Sequence, residues 1–421
     1  MIQTLTLSPG VTLRCIRDDR FKHGCLSLQL LRPMQEEEAA MNALLPAVLL
    51  RGCEGFPDLR AITLRLDDLY GAGVGALVRR VGDWQTTGFY CSFTEDRYAM
   101  PGDAILQPLT HFVRQLLLEP LLEKGVFRED FVQSEKKNLI STIESQLNDK
   151  RAYAMDKLMR KMCRGDAFGI PRLGRKEAVA EITAEGLYAH YQRILKESPV
   201  QLFYVGSAPA EEVAQLLRPL AAELAQTPIV LQPQTPFHDL GGDDWSGRLD
   251  VNQGKLCMGL VTPITIRDEG FVAMQLLNLV FGGGMTSKLF MNIREKRSLC
   301  YAIGSGYHGS KGIVTVSAGI DFEQEQPVRA QILEQLEACR QGEITQEELK
   351  AAQEALCSSL RAIHDSPGAM ENYYASAALS GLPLTAQQYM EAVERCTVQQ
   401  LTEAAKTLRL HSVYFLKGVE A

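Results

Sequence analysis

The chain has 421 residues, of which 46% are hydrophobic and 23% charged, and its formal net charge is −7. This composition is typical of a globular protein with a sizeable core, and it excludes disordered, collagen-like and low-complexity classes. The acidic balance, without a block of Lys or Arg, argues against nucleic acid as a partner. We also expect no membrane segment or secretion signal. Ten cysteines without a Cys-x-x-Cys pair predict a cytoplasmic protein with reduced thiols.

The first half of the chain predicts a mixture of strands and helices. Strand-like apolar runs lie at 11–16, 25–31, 88–93 and 202–206. Helices are predicted at 36–50, 104–118 and 128–147, and a further helix is predicted to start at Ser207 as its cap, with Pro209 in the first turn. Residues 227–244 then carry three prolines and two glycines without a helical period, which indicates a linker.

The order of elements repeats after this linker. Strands are predicted at 255–261, 312–319 and 413–418, and helices at 270–281, 328–339 and 346–364. We therefore predict two homologous halves, 1–226 and 245–421, joined by the linker 227–244. The fold class is α+β, with a mostly antiparallel sheet in each half and helices packed on one face.

The segment from Phe281 to Tyr301 is the most informative part of the sequence. A phosphate-binding loop is excluded because Ser287 precedes Lys288 instead of following it. The run Gly-Gly-Gly-Met-Thr-Ser-Lys-Leu-Phe, followed by Arg-Glu-Lys and by a Tyr seven residues after Arg294, resembles the second-half signature of M16 metallopeptidases, the insulinase and mitochondrial-processing-peptidase family.

This resemblance implies an M16/LuxS-metallohydrolase-like fold and a mode of substrate binding. Chains of this family pair to enclose a chamber, in which peptides lie extended along a sheet edge. Arg294 and Tyr301 inherit a candidate substrate-binding role, since a guanidinium and a phenol can donate to peptide carbonyl oxygens. The alternative is that Arg294 forms an ordinary ion pair and that Tyr301 packs in the sheet.

Active members of the family bind zinc through His-x-x-Glu-His on one helix and a distal Glu. The seven histidines of this chain are never closer than 47 residues, so no such pair exists. By resemblance, the two His positions fall on Ala43 and Ala47, the catalytic Glu on Pro46, and the distal ligand on Thr142. Glu144 alone would be a weak substitute. We therefore predict no catalytic residue, no metal and no cofactor, and a helix kinked or shortened at Pro46.

Three functions are compatible with this sequence. The first is a non-catalytic M16 subunit that binds peptide and completes the chamber of an active zinc-peptidase paralogue, or forms a homodimer when isolated. In this it resembles the mitochondrial processing peptidase α-subunit and the inactive member of bacterial M16 pairs associated with elongation factor P modification. The second is a structural scaffold subunit without peptide handling. The third is a peptidase with displaced chemistry, for which Cys300 is the thiol nearest the presumed groove.

Overall fold

The computed structural model describes residues 2–382 and 385–419. The chain forms two compact units: unit 1 comprises Met1–Glu144, Ile170–Pro233 and Ile363–Leu379, and unit 2 comprises Ser145–Gly169, Gln234–Ala362 and Ser380–Ala421. Each unit therefore contains a segment that the linear division at 227–244 assigns to the other half. The division into halves 1–226 and 245–421 stays a prediction about the sequence. In the structure, 145–169 belongs to unit 2 and 363–379 belongs to unit 1.

Both units combine strands with helices, numbered here in chain order. The strands are β1 (Ile2–Ser8), β2 (Val11–Arg17), β3 (His23–Pro33), β4 (Gly73–Val81), β5 (Trp84–Thr94), β6 (Leu122–Glu123), β7 (Val126–Phe127), β8 (Val200–Gly206), β9 (Asp244–Leu249), β10 (Gly254–Val261), β11 (Ala302–His308), β12 (Ile313–Ile320) and β13 (Arg409–Gly418). The helices are α1 (Glu36–Leu49), α2 (Leu59–Asp68), α3 (Leu106–Leu118), α4 (Glu129–Ser145), α5 (Lys150–Met162), α6 (Lys176–Glu181), α7 (Ala184–Glu197), α8 (Ala210–Ala221), α9 (Phe271–Asn278), α10 (Glu325–Arg340), α11 (Gln346–Ala362), α12 (Pro367–Ser380), α13 (Ala386–Arg395) and α14 (Val398–Thr407).

The two main sheets share one topology. The sheet of unit 1 has the order β1-β2-β8-β3-β5-β4, and the sheet of unit 2 has the order β11-β12-β10-β13-β9. Once β1 is set aside, the second order is the first read in reverse. In each sheet the equivalent pair runs parallel, β2 with β8 and β9 with β13, and the other neighbours run antiparallel. The predicted α+β class with duplicated, mostly antiparallel sheets is confirmed.

Side-chain alternation on β3 explains how the sheet of unit 1 is covered on both faces. Leu26 and Leu28 point into the main core of the unit. The intervening Ser27 and Gln29 point the other way, where both hydrogen-bond to Glu371 of α12. In unit 2, α5 packs in the same manner on β10 and β13. The helices are therefore not confined to one face of each sheet. The segment 363–379 supplies α12 to the second face in unit 1, and the segment 145–169 supplies α5 to the second face in unit 2.

Two local predictions need correction. The N-cap of α8 is Pro209 and not Ser207, and the helix begins at Ala210. The fixed φ of proline is compatible with the position just before a helix, so Pro209 precedes the first turn instead of lying inside it. Pro46 does not shorten α1, which continues to Leu49.

Within residues 2–382 and 385–419, no helix is both long and apolar enough to span a bilayer.

Candidate functional site

Pro46 lies inside α1 without ending it because another donor replaces its missing backbone N–H. In a regular helix that N–H would bond to the carbonyl of Asn42. Here the Thr87 hydroxyl, from the adjacent strand β5, donates to the Asn42 carbonyl oxygen at 2.6 Å. The bond that proline removes is thus supplied by the sheet, which explains why the helix persists.

The four positions assigned by resemblance to the zinc site carry two alanines, a proline and a threonine. Ala43 and Pro46 are buried on α1, and Ala47 is half-buried beside them. Thr142 lies exposed on α4, where its hydroxyl donates to the Asn138 carbonyl oxygen at 2.9 Å. Methyl groups, a pyrrolidine ring and a hydroxyl provide no set of ligands for zinc.

Two carboxylates of α4, Glu135 and the possible substitute ligand Glu144, are bound to cations. Glu135 pairs with Arg51 at 3.5 Å, and Glu144 pairs with Lys176 at 3.0 Å. The second pair is half exposed on both sides, so it contributes little to stability. Both carboxylates already have positively charged partners. Within the described residues, neither belongs to a group of three or more side chains that could hold a metal ion.

A buried polar network on α1 was not predicted from the sequence. The Asn42 side chain donates to Gln85 at 2.9 Å, and its Oδ1 lies 2.7 Å from Nε2 of His190. Nδ1 of His190 lies 3.0 Å from a guanidinium nitrogen of Arg193. Burial lowers the pKa of His190 to about 4, so the imidazole is neutral at neutral pH. Nδ1 then accepts from Arg193 and Nε2–H donates to Asn42, which leaves neither nitrogen free for a metal or a substrate proton.

Other routes to catalysis find no support in the geometry. Within the described residues, no group of three or more His, Cys, Asp or Glu side chains is arranged to hold a metal ion. Cys300 is buried, and that burial raises the pKa of its thiol to about 11, although the nearby Arg294 acts in the opposite direction. The thiol is therefore protonated at neutral pH and is a poor nucleophile.

Arg294 lies in a π-helical turn, Leu289–Glu295, that follows the glycine-rich loop. Its guanidinium stacks 4.6 Å from the ring centre of Phe290 and lies 3.7 Å from the carboxylate of Glu295. With 40% of the Arg294 side chain and 48% of the Glu295 side chain exposed, this ion pair is weak. The guanidinium is thus held over an aromatic face while its hydrogen-bonding groups remain accessible.

Tyr301 directly precedes β11 and is 61% exposed. Its backbone N–H donates to the Gly319 carbonyl oxygen of β12, and its hydroxyl donates to Asp321 at 3.1 Å. This carboxylate raises the pKa of Tyr301, which keeps the phenol protonated as a donor. Arg294 and Tyr301 do not hydrogen-bond to each other, although the charge of Arg294 acts on Cys300, the residue directly before Tyr301.

The two equivalent edge strands differ in their surroundings. The edge of β4 is contacted by its own chain: Arg172 donates to the Val78 carbonyl oxygen at 2.5 Å, and Arg80 donates to the Ile170 carbonyl oxygen at 3.0 Å. Gly174, with φ of +73°, holds this segment against Ala40, where a Cβ would lie 2.7 Å from backbone atoms. β11 is also an edge strand, and from Gly304 to His308 it is half-buried. An edge strand presents backbone N–H and C=O groups that can pair with an added strand.

Comparisons with known proteins agree with this geometry. A family model described as the peptidase M16 inactive domain matches residues 181–356. Over 411 residues the chain is 27% identical to a Bacillus subtilis protein named probable inactive metalloprotease YmfF, covering 98% of this chain and 96% of that protein.

Solved structures give the same result for the fold. The crystal structure of a conserved protein from Enterococcus faecalis matches with a TM-score of 0.92 at 28% identity, covering 100% of this chain and 99% of that one. A peptidase M16 inactive domain from Pseudomonas fluorescens matches with a TM-score of 0.82 at 19% identity, covering 99% and 98% of the two chains. Residues 181–356 therefore match the M16 inactive-domain model, and the whole chain shares its fold with a solved structure of that description.

Proposed function

We propose that this chain is the non-catalytic subunit of a cytoplasmic M16 heterodimer, which binds extended peptide and completes the chamber of an active zinc-peptidase paralogue. The observation that carries the proposal is the contrast between the former zinc site and β11. The zinc-site positions hold inert side chains, whereas β11 is an edge strand flanked by the half-exposed Arg294 and the exposed Tyr301.

The chemistry of these two residues suits a peptide backbone. A peptide that pairs with β11 would satisfy its own N–H and C=O groups through the strand. Carbonyl oxygens near the start of β11 could then accept from the guanidinium of Arg294 and the phenol of Tyr301. Both side chains now have replaceable partners, Glu295 at 3.7 Å and Asp321 at 3.1 Å, so binding would cost little in lost intramolecular contacts.

The first experiment is native purification, followed by metal analysis and peptide-cleavage assays on the complex and on the isolated chain. We expect an active M16 partner that carries the zinc, with cleavage only in the complex. Stoichiometric zinc and cleavage by the isolated chain would contradict the proposal. Co-purification with a partner that neither binds zinc nor cleaves peptides would favour the scaffold function.

Variants then separate peptide handling from assembly. Arg294→Ala and Tyr301→Phe should lower kcat/KM of the complex while leaving the heterodimer intact. Arg297→Ala is the matched control, because Arg297 lies in the same segment, is 51% exposed and makes a similarly long 3.7 Å contact with Glu334. Equal effects of Arg294→Ala and Arg297→Ala would remove the assigned role of Arg294.

A further inference from the structure

A polar groove of about 440 Å³ lies on the face of β11 and β12 that α5 covers. Its floor is formed by Gly304 and Gly306 of β11 and by Thr315 and Ser317 of β12, and Arg151 of α5 borders it. All of these residues belong to unit 2. The groove contains hydroxyl groups and a cation, so it is suited to a polar ligand.

The register of the two strands explains why the groove opens at the sheet edge. Gly304 pairs with Ser317 and Gly306 pairs with Thr315, so these four residues turn their side-chain positions to the same face. Because both residues of the outer strand are glycine, no side chain closes the groove on that side. A Cβ built on Gly306 would meet Thr315 Oγ1 at 3.7 Å, which is ordinary contact, so the space there is empty and not tightly packed.

Arg151 supplies an accessible positive charge to this groove. Its Nε donates to Ser317 Oγ at 2.8 Å, which fixes the guanidinium over the floor, and Nη2 lies 3.7 Å from the position of a Cβ on Gly304. Within the described residues its two terminal nitrogens make no hydrogen bond. Asp149 also lines the groove; its Oδ1 accepts from the backbone N–H groups of Arg151 and Ala152, and its carboxylate forms no hydrogen bond with the Arg151 guanidinium.

The charge of Arg151 also acts on Lys255, which lies on the neighbouring strand β10. The pKa of Lys255 on β10 is lowered, first by burial and then by Arg151. Two cations, Arg151 and Lys255, and one anion, Asp149, therefore lie close together on this side of the sheet, which leaves one positive charge in excess. A carboxylate is the complementary group, and a guanidinium binds it with two parallel hydrogen bonds.

We infer that the groove binds the carboxylate of an Asp or Glu side chain, carried by an extended peptide that pairs with β11. On an added strand, the residue opposite Gly304 turns its side chain to the same face as Gly304. That side chain enters the space left by the glycines and reaches Arg151. This inference rests on the proposed function, to which it adds a preference for acidic peptides.

The test compares two fluorescein-labelled heptapeptide pools on the immobilised full-length chain. Both pools are randomised over non-acidic residues, with Glu fixed at the central position in one and Gln in the other. A charge-assisted bidentate contact should make retention of the Glu pool roughly three- to tenfold higher than that of the Gln pool. Arg151→Gln should abolish this difference, and Gly306→Val, which fills the groove with a residue favoured in strands, should reduce it.

The controls distinguish failure of this inference from failure of the proposed function. Lys350→Gln also removes one positive charge, from a side chain that is 76% exposed on α11, and should leave the ratio unchanged. Arg294→Ala should lower retention of both pools equally. Equal retention of the two pools by the unaltered chain overturns the acidic preference alone. Retention of neither pool overturns peptide binding at β11 as well.

Discussion

The contact that fixes α12 on the sheet of unit 1 gives the sharpest prediction about stability. Glu371 is 0% exposed and accepts hydrogen bonds from Ser27 at 2.6 Å and from Gln29 at 2.9 Å. Its carboxylate also forms a bidentate pair with Arg79 at 2.9 and 2.8 Å. Glu371→Ala therefore removes the counterion of Arg79 and two further acceptor contacts.

The size of the effect follows from what each partner retains. Breaking a buried ion pair typically costs about 3–5 kcal/mol. Arg79 keeps some hydration because 24% of its side chain is exposed, and Ser27 and Gln29 still share a hydrogen bond of 3.1 Å. We therefore expect a loss of about 3 kcal/mol, at the low end of that range. For a domain of roughly 150–250 residues this corresponds to a fall in Tm of about 6–12 °C.

Thermal unfolding followed by circular dichroism measures this loss. Glu354→Ala is the control, because its ion pair with Lys350 spans 3.9 Å with more than two thirds of both side chains exposed, and its removal should cost less than about 0.5 kcal/mol. The double variant Arg79→Met/Glu371→Leu should recover much of the lost stability, since two apolar side chains leave no buried charge unpaired. A fall in Tm for Glu371→Ala no larger than for Glu354→Ala would refute the reasoning.

Three further predictions can be checked by denaturant unfolding. Thr87→Val should lower the free energy of unfolding by about 1–2 kcal/mol, because it leaves the Asn42 carbonyl oxygen without its donor. In a Pro46→Ala background the loss should be smaller, because the backbone N–H of residue 46 can then donate to that carbonyl; an equal loss there would contradict the role given to Thr87. Ser298, with φ of +51°, should be stabilised by about 0.5–1 kcal/mol on replacement by Gly, which has no Cβ penalty in that conformation, and a loss of stability would argue against strain. His190 has a pKa of about 4 in the folded protein and about 6.5 in the unfolded chain, so its contribution to the free energy of unfolding is complete above pH 6.5 and falls by up to roughly 3 kcal/mol as the pH drops towards 4. His190→Gln should remove this pH dependence, and the same pH dependence of stability in the variant and the unaltered protein would refute the prediction.

Local sequence patterns predicted the elements that have a strong period or composition. The apolar run at 25–31 lies inside β3, and the helical face at 128–147 corresponds to α4. β4 was missed because Gly73, Gly75 and Ala76 weaken its strand character. The exchange of 145–169 and 363–379 between units could not be predicted, since it depends on partners more than a hundred residues away, such as Glu371 and Ser27.

The predicted absence of zinc ligands rests on residue identity alone, whereas the packing around these positions could not be predicted from the sequence. Ala43 and Ala47 lack ligand atoms in any conformation. The continuation of α1 through Pro46 depends on a hydroxyl on another element, Thr87 of β5, which no local rule identifies. The isolated His190 likewise gave no sign in sequence that both its ring nitrogens would be bound.

The distribution of bound and unbound polar groups separates structural residues from those available to a ligand. Beside Ala43 and Pro46 of α1, the side chains of Asn42 and His190 are buried and hydrogen-bonded, so binding a substrate there would cost the hydrogen bonds that hold α1. Along β11 the opposite holds. Arg294 and Tyr301 have weak or exposed partners, and Arg151 has two terminal nitrogens without a hydrogen-bond partner in the described residues. Groups of this second kind would gain hydrogen bonds from the acceptors of a bound peptide, and this difference supports the proposal that a peptide substrate pairs with β11.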